Sequence, residues 1–369
     1  MLTGWLKRPF DEVILDVSGG NTKTPQSEFL PHGRFPVVDQ GKELIAGYVN
    51  DESRLCHVQL PVLVFGDHTR CFKYVNFPFC IGADGVKVLR PKFDVNVKYL
   101  YHYFRQVRLT EAGYDRHFKY LKRTAVVLPP FPEQKRIAEV LDKAEELRAK
   151  RRAALSQLDT LTQAIFIEMF GDPATNPKSW PLRSIGDIGK VITGNTPPRS
   201  RPDYYGSAIE WIKSDNINTP HYYLTKAEEG LSETGKAVAR TAPAGAILVT
   251  CIAGSPGCIG NAAMTDREVA FNQQINALVS EQGDTLFLYV QILVGKRLIQ
   301  EASTAGMKGM VSKSRFESIP LIFPPLLIQN EFAHRAAAVE KLKAAHRASL
   351  AELDALFASL QHRAFRGEL

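Results

Sequence analysis

The sequence predicts an α+β chain: two mixed α/β blocks separated by two long helices that pack as an antiparallel coiled coil, with a pseudo-twofold internal repeat. Three observations predict it. Short motifs recur in the same order in the two halves of the chain. Two segments have helix-forming composition and a single seam at helical spacing. The stretches between them consist of short β-rich runs bounded by Gly, Pro, Asn and Asp. At 369 residues the chain is also too long for one ordinary core and long enough for two domains.

The first block is assigned to residues 1–132. It opens with WLKRPFDEV at Trp5–Val13 and VSGGNTKTP at Val17–Pro25. Phe35–Val38, Leu60–Phe65 and Gly85–Leu89 read as strands, and an amphipathic helix is expected near 97–108. The second block, 173–328, answers in order with WPLRSIGDI at Trp180–Ile188 and ITGNTP at Ile192–Pro197. Ala246–Thr250 reads as a strand and 285–300 as the matching helix, where Phe287, Leu288 and Tyr289 answer Tyr99, Leu100 and Tyr101. Each block ends in a Pro-Pro step followed by glutamine: Leu128 to Phe131 with Gln134, then Phe323 to Leu326 with Gln329. The offset between copies grows along the chain, so the second block has gained about 20 residues relative to the first.

The two helices are assigned to 133–172 and 329–369. Glu133–Phe170 contains no Gly or Pro and is rich in Ala, Leu, Lys, Arg, Glu and Gln. Its expected seam is Ile137, Val140, Ala144, Leu147, Arg151, Ala154, Leu158, Leu161 and Ile165, and Gly171, Asp172 and Pro173 stop it. The same register in the second copy gives Phe332, Arg335, Val339, Leu342, His346, Ser349, Leu353, Leu356 and Leu360. A rod of this length measures about 57 Å, and one apolar stripe cannot stabilise it alone in water. The two are expected to pair with each other, holding the blocks apart. An oligomerisation coil is the plainer reading of the seam, and the alternation of block and rod argues against it.

Charge and composition bound the function. No apolar run reaches the roughly 20 residues of a membrane span, and MLTGWLKRPFDEV lacks the apolar stretch of a secretion signal. Five scattered cysteines make no disulfide framework, so a reduced, cytoplasmic setting is expected. The net charge is +7; residues 1–132 hold 18 Lys/Arg against 13 Asp/Glu and 173–330 hold 15 against 13, so the surplus sits mainly in the blocks. Catalytic signatures are missing. Leu128 stands where an adenine methyltransferase would need an asparagine, and no cofactor loop accompanies it. Gly230–Ala237 approaches a phosphate-binding loop but has Ala237 where a hydroxyl must bind magnesium. Neither cysteine pairs nor histidines have zinc-site spacing.

The Leu128–Ile137 stretch, Phe170-Gly171-Asp172-Pro173 with Asn176, Pro177 and Trp180, and Ala364–Leu369 resemble the specificity subunits of type I restriction–modification systems. One departure is Leu327-Ile328-Gln329, where Glu133 of the first copy has no acidic counterpart. The resemblance covers the whole chain. It implies two target-recognition domains, each reading half of a bipartite asymmetric site in double-stranded DNA, with the helices setting the gap. It implies no catalysis and no cofactor in this chain. S-adenosylmethionine would sit on the adenine-methylating modification subunit, of which two copies dock, and a restriction and translocase subunit would join the larger complex. Candidate DNA contacts are the paired loop residues Asn21, Thr22 and Lys23, and Asn195, Thr196, Arg199 and Arg201. They are joined by His68, Arg70 and Lys73, by Lys213, Asp215 and Asn216, and by Lys119, Lys122, Lys308 and Lys313 ahead of the rods. Any single one of these reads equally as a solvated charge or a turn residue. The competing functions are a coiled-coil scaffold that binds only protein, and an autonomous methyltransferase.

Overall fold

A computed structural model describes residues 4–109, 115–218, 222–304 and 309–369. Two compact units emerge: Met1–Arg152 with Ala348–Leu369, and Ala153–Arg347. Both long helices are shared: Phe131–Phe170 gives 131–152 to the first unit and 153–170 to the second, and Leu326–Ala364 gives 326–347 to the second and 348–364 to the first.

In the first unit, Ile14–Asp16, Val86–Pro91, Val62–Gly66 and Phe72–Val75 form an antiparallel sheet in that order. Val62–Gly66 is buried on both faces, so its side chains divide by parity. Leu63 and Phe65 join Phe10, Tyr99, Leu100, Phe104 and Phe118 beneath helix Val97–Gln106, while Val62 and Val64 face Val38, Phe79 and Ile81. The latter three belong to or adjoin a second sheet, ordered Lys23–Thr24, Cys80–Gly82, Phe35–Val38, Gly47–Val49. A ribbon pairs Leu6–Pro9 with Ala125–Leu128 and delivers the chain to the first long helix.

The second unit repeats the plan. Gly189–Thr193, Ile275–Ser280, Ile247–Thr250 and Ala262–Met264 make the antiparallel sheet. Again the parity splits, with Ile247 and Val249 in one cluster and Leu248 in the other. A second sheet runs Gly230–Leu231, Tyr205–Ile212, Val269–Phe271, Thr241–Ala242, and the ribbon pairs Leu182–Ser184 with Pro320–Ile322. The helix expected over 285–300 is two helices, Thr285–Val294 and Lys296–Glu301. Gly295 separates them, packed so that a side chain there would meet Pro173 and the Gln291 carbonyl.

One junction recurs atom for atom. Buried Gln134 donates from Nε2 to the Pro129 carbonyl (2.8 Å) and accepts at Oε1 from the Asn96 amide (3.0 Å). Gln329 donates to the Pro324 carbonyl (2.7 Å) and accepts from the Asp284 amide (2.9 Å). Asn96 and Asp284 are in turn the N-caps of the block helices, accepting from Tyr99 and Phe287 amides. The glutamine thus ties the start of each long helix to the start of its block helix, with or without an acidic residue before it.

Within each unit the long helices pair antiparallel. In the first, Arg148 bonds Asp354 (2.6 Å) and Arg136 donates to the Leu369 carbonyl. In the second, Lys343 bonds Asp159 (2.8 Å) and Phe332 packs on Phe166 and Phe170. The seam differs from the expected one by one phase. Ile137, Ala144 and Leu158 are buried as expected, and so are Phe332 and Val339. Leu147, Leu161, Leu342 and Leu356 are instead 40–50% exposed, their expected places on the seam taken by Arg148, Thr162, Lys343 and Phe357. The alternation of three- and four-residue steps begins with four after Ile137, at Leu141, and not with three, at Val140. Where a charge fills the phase it is neutralised: Glu145 and Asp354 flank Arg148, and Glu340 and Asp159 flank Lys343. These two triads occupy matching places in the repeat.

Candidate nucleic-acid interface

In the first unit a chain of contacts draws several candidate loops to one edge. Lys23 pairs with Asp84 (3.6 Å) beside the turn at Gly85, where an added Cβ would meet Gln40 and the His68 ring. Gly85 has φ +73°, so a side chain there would be both strained and obstructed. The Asp67 amide donates to the Gly85 carbonyl (2.7 Å), and Asp67 Oδ1 accepts from the Phe118 amide (2.6 Å). Above the Phe118 ring sit Lys87 (4.9 Å) and Lys122 (5.4 Å), and Lys87 pairs with Asp16 (3.1 Å) at the root of the Val17–Pro25 loop. Lys119 lies over Tyr120 (5.0 Å) and pairs with Asp115. The Ser18 hydrogen bonds and Lys87 hold the Asp16 carboxyl below its ordinary value against the opposing pull of burial.

In the second unit the corresponding edge is built on the loop after Gly189–Thr193. The Asn195 amide donates to the Phe271 carbonyl, and the Thr196 hydroxyl to Gln273. Trp211 donates from Nε1 to the Asn195 carbonyl (3.3 Å). Around Trp211 gather Arg199, whose guanidinium lies 4.5 Å from the Tyr205 ring and 5.0 Å from the Trp211 ring, and Lys213, 5.4 Å from the Trp211 ring. Both cations bind Glu229. Arg201 is engaged bidentately by Asp203 (2.9 and 2.7 Å). Exposed Lys313 opens the short helix Lys313–Glu317 and pairs with Glu317, adjoining the loop through the Val311–Cys251 and Cys251–Gln274 backbone bonds. These groups are chemically suited to binding an anionic backbone: cations on aromatic platforms, beside exposed amide and hydroxyl side chains.

Residues 177–355 match the type I restriction modification DNA specificity domain. Over 154 residues the chain is 27% identical to the specificity subunit of a type I restriction enzyme of Haemophilus influenzae, covering 40% of this chain and 32% of that one. Over 282 residues it is 23% identical to that of an Escherichia coli type I enzyme, covering 71% and 68%. The matching domain and both relatives are those of type I restriction–modification specificity subunits. The match spans about a third of the Haemophilus subunit's length. The fold is also that of the type I restriction–modification S subunit from M. genitalium (TM-score 0.59, 12% identity, covering 98% and 96% of the two chains).

In this chain the candidate residues have unequal positions. Thr22, Lys23, His68, Lys119 and Lys122 are exposed on the first edge, and Arg70 stands at a turn with φ 60°. Thr196, Arg199, Arg201 and Asp215 are exposed on the second. Lys73 is a correction: its ammonium is buried, bound to the Asp39 carboxylate (3.2 Å) and carbonyl (2.8 Å), because strand parity points it inward. Asn216 is another, buried and accepting from the Lys213 amide (3.0 Å) as the brace of a tight turn. Asn21 accepts from the His57 amide (2.8 Å) and Asn195 from the Arg240 amide (2.7 Å), so both loop asparagines anchor their loops. Lys308 lies outside the described residues. Sequence reasoning missed Lys87, Tyr205, Trp211 and Glu229. A basic residue one or two positions from an aromatic, as in Trp211-Ile212-Lys213, was the available signal.

The apparent phosphate loop is structural. Gly235 packs so closely on the Tyr204 carbonyl that no side chain fits, and Lys236 pairs with Glu268 (2.9 Å). Burial pushes the Cys251 thiol up to about 12, which leaves it a small apolar side chain. Among the described residues no helix is long and apolar enough to cross a membrane.

Proposed function

We propose that this chain is the DNA-reading subunit of a type I restriction–modification complex. Each head reads one half of a bipartite asymmetric site in double-stranded DNA, and the paired helices set the unread gap. The observation that carries this is the duplication of head, glutamine junction and long helix on two heads whose loops carry different side chains. Identical heads would read a symmetric site; unlike heads on a repeated frame suit an asymmetric one.

Catalysis then belongs to partners. Two copies of an adenine-methylating modification subunit, carrying S-adenosylmethionine, dock on the helices, and a restriction and translocase subunit joins the larger assembly in the cytoplasm. The exposed leucines support this number of docking sites. Leu147 and Leu356 lie in the first unit, and Leu161 and Leu342 in the second, at positions that match in the repeat. Apolar side chains this exposed on a helix pair are what a partner helix covers.

The test is methyl transfer to duplex DNA. The purified chain alone transfers no methyl group, and adding the modification subunit yields methylated adenines at one bipartite motif, found by mapping methylation with and without the chain. Binding by the chain falls steeply between about 50 and 200 mM salt, as phosphate contacts require. Methyl transfer by the chain alone, or binding indifferent to salt, contradicts the proposal.

A further inference from the structure

The cluster around Trp211 does more than place two cations on a surface. Arg199 Nη2 lies 2.8 Å from one oxygen of Glu229, and Lys213 Nζ bonds the other. Two donors therefore converge on the two oxygens of one monoanion. A phosphodiester presents the same charge on the same pair of terminal oxygens. We infer that Glu229 stands in for a DNA backbone phosphate in the free protein, so that Arg199 and Lys213 form a phosphate clamp that opens by exchanging this carboxylate for a phosphate. The inference rests on the DNA-reading function proposed above and adds the occupant of one site.

Three features favour exchange over a fixed structural pair. The Arg199, Glu229 and Lys213 side chains are 57%, 39% and 34% exposed, so an outside anion can reach them. The cations also have supports that do not depend on Glu229: the Tyr205 and Trp211 rings, held by bonds to the Pro197 (2.7 Å) and Asn195 carbonyls. Beside the clamp opens a polar cleft of about 240 Å³, lined by Trp211, Asp215, Thr225 and Lys226 among others, which gives the displaced carboxylate room to swing. The Arg267–Glu210 pair in the same unit lacks these properties. Glu210 also accepts from the Ala227 amide, and Arg267 donates to the Thr225 carbonyl, so that pair holds the loop together. The Lys213 and Arg199 hydrogen bonds keep the Glu229 carboxyl below its ordinary value, hence charged and competing at neutral pH.

The experiment measures binding of full-length wild type, Glu229→Gln and Glu229→Asp to a duplex carrying the mapped site and to a scrambled duplex of equal length. Removing two part-exposed internal ion pairs is expected to tighten binding to both duplexes about three- to tenfold. The slope of log affinity against log salt steepens by about 1 in Glu229→Gln. Glu229→Asp, charged but shorter, falls between, and Arg199→Ala costs more affinity in the Glu229→Gln background than in wild type. If wild type binds and directs methylation but Glu229→Gln leaves affinity and slope unchanged, the clamp is refuted and the reading function stands. A changed base preference instead of uniform tightening also refutes it, since the carboxylate would then be reading a base. If wild type binds neither duplex, both fail.

Discussion

Replacing Gln329 by alanine tests whether the glutamine junction holds the second head to its helix. The side chain is fully buried, and its loss leaves the buried Pro324 carbonyl and the half-buried Asp284 amide without their partner. A buried carbonyl stripped of its donor costs about 1–3 kcal/mol, and an amide that water can partly reach about 1 kcal/mol. The expected loss is therefore about 3 kcal/mol, with a similar loss for Gln134→Ala in the first unit. Urea unfolding of the full chain, followed by circular dichroism and tryptophan fluorescence, measures it. Gln329→Glu adds a check of direction. A carboxyl at this place must keep its proton to donate to Pro324, so its folded pKa rises above the unfolded value of about 4.3. Stability is then fully present below that value and is lost as pH rises through the folded pKa. Alanine variants at both glutamines within about 0.5 kcal/mol of wild type, or a glutamate variant insensitive to pH, would refute the reasoning.

Three further outcomes are expected. Leu147→Asp with Leu342→Asp leaves the melting temperature within a few degrees of wild type, because both side chains are exposed, but abolishes capture of the modification subunit in gel filtration; unimpaired capture counts against the docking face. Asp159→Ala removes one of the two carboxylates that pair with the buried Lys343 and costs about 1–2 kcal/mol, Asp159 being half exposed; adding Lys343→Met recovers most of it, and equal stability in all three proteins removes the triad's role. Exchanging residues 1–128 for the first head of another family member changes one half of the methylated motif; a change in both halves contradicts independent heads.

The architecture was legible because it is written in repeats and breaks. Gly171 with Pro173 stops a helix whatever packs around it, and Gln134 and Gln329 marked equivalent places before their bonds were visible. The seam phase was not legible, because apolarity was read as burial. Leu147 and Leu342 keep their apolar character while exposed, and Arg148 and Lys343 take the inner phase because acids from both helices neutralise them. The candidate interface was legible in part. Lys23 and Arg199 stand in segments that motif matching located, whereas Lys73 was misjudged, since one residue of strand register decides whether a lysine meets solvent or Asp39. Lys87 and Glu229 become visible only when distant segments meet.

The first unit is discontinuous in the chain, and this orders its synthesis. Tyr99 packs at a tilt and Tyr103 edge-on against Phe365, and the core they share is completed by Phe357 and Ala364. None of these later residues exists until the ribosome has made the whole of the second unit. A nascent chain must therefore carry an unfinished first head, its tyrosines still wet, through most of translation. Any product cut short before Phe357 lacks the residues that close that head and leaves its aromatics unburied.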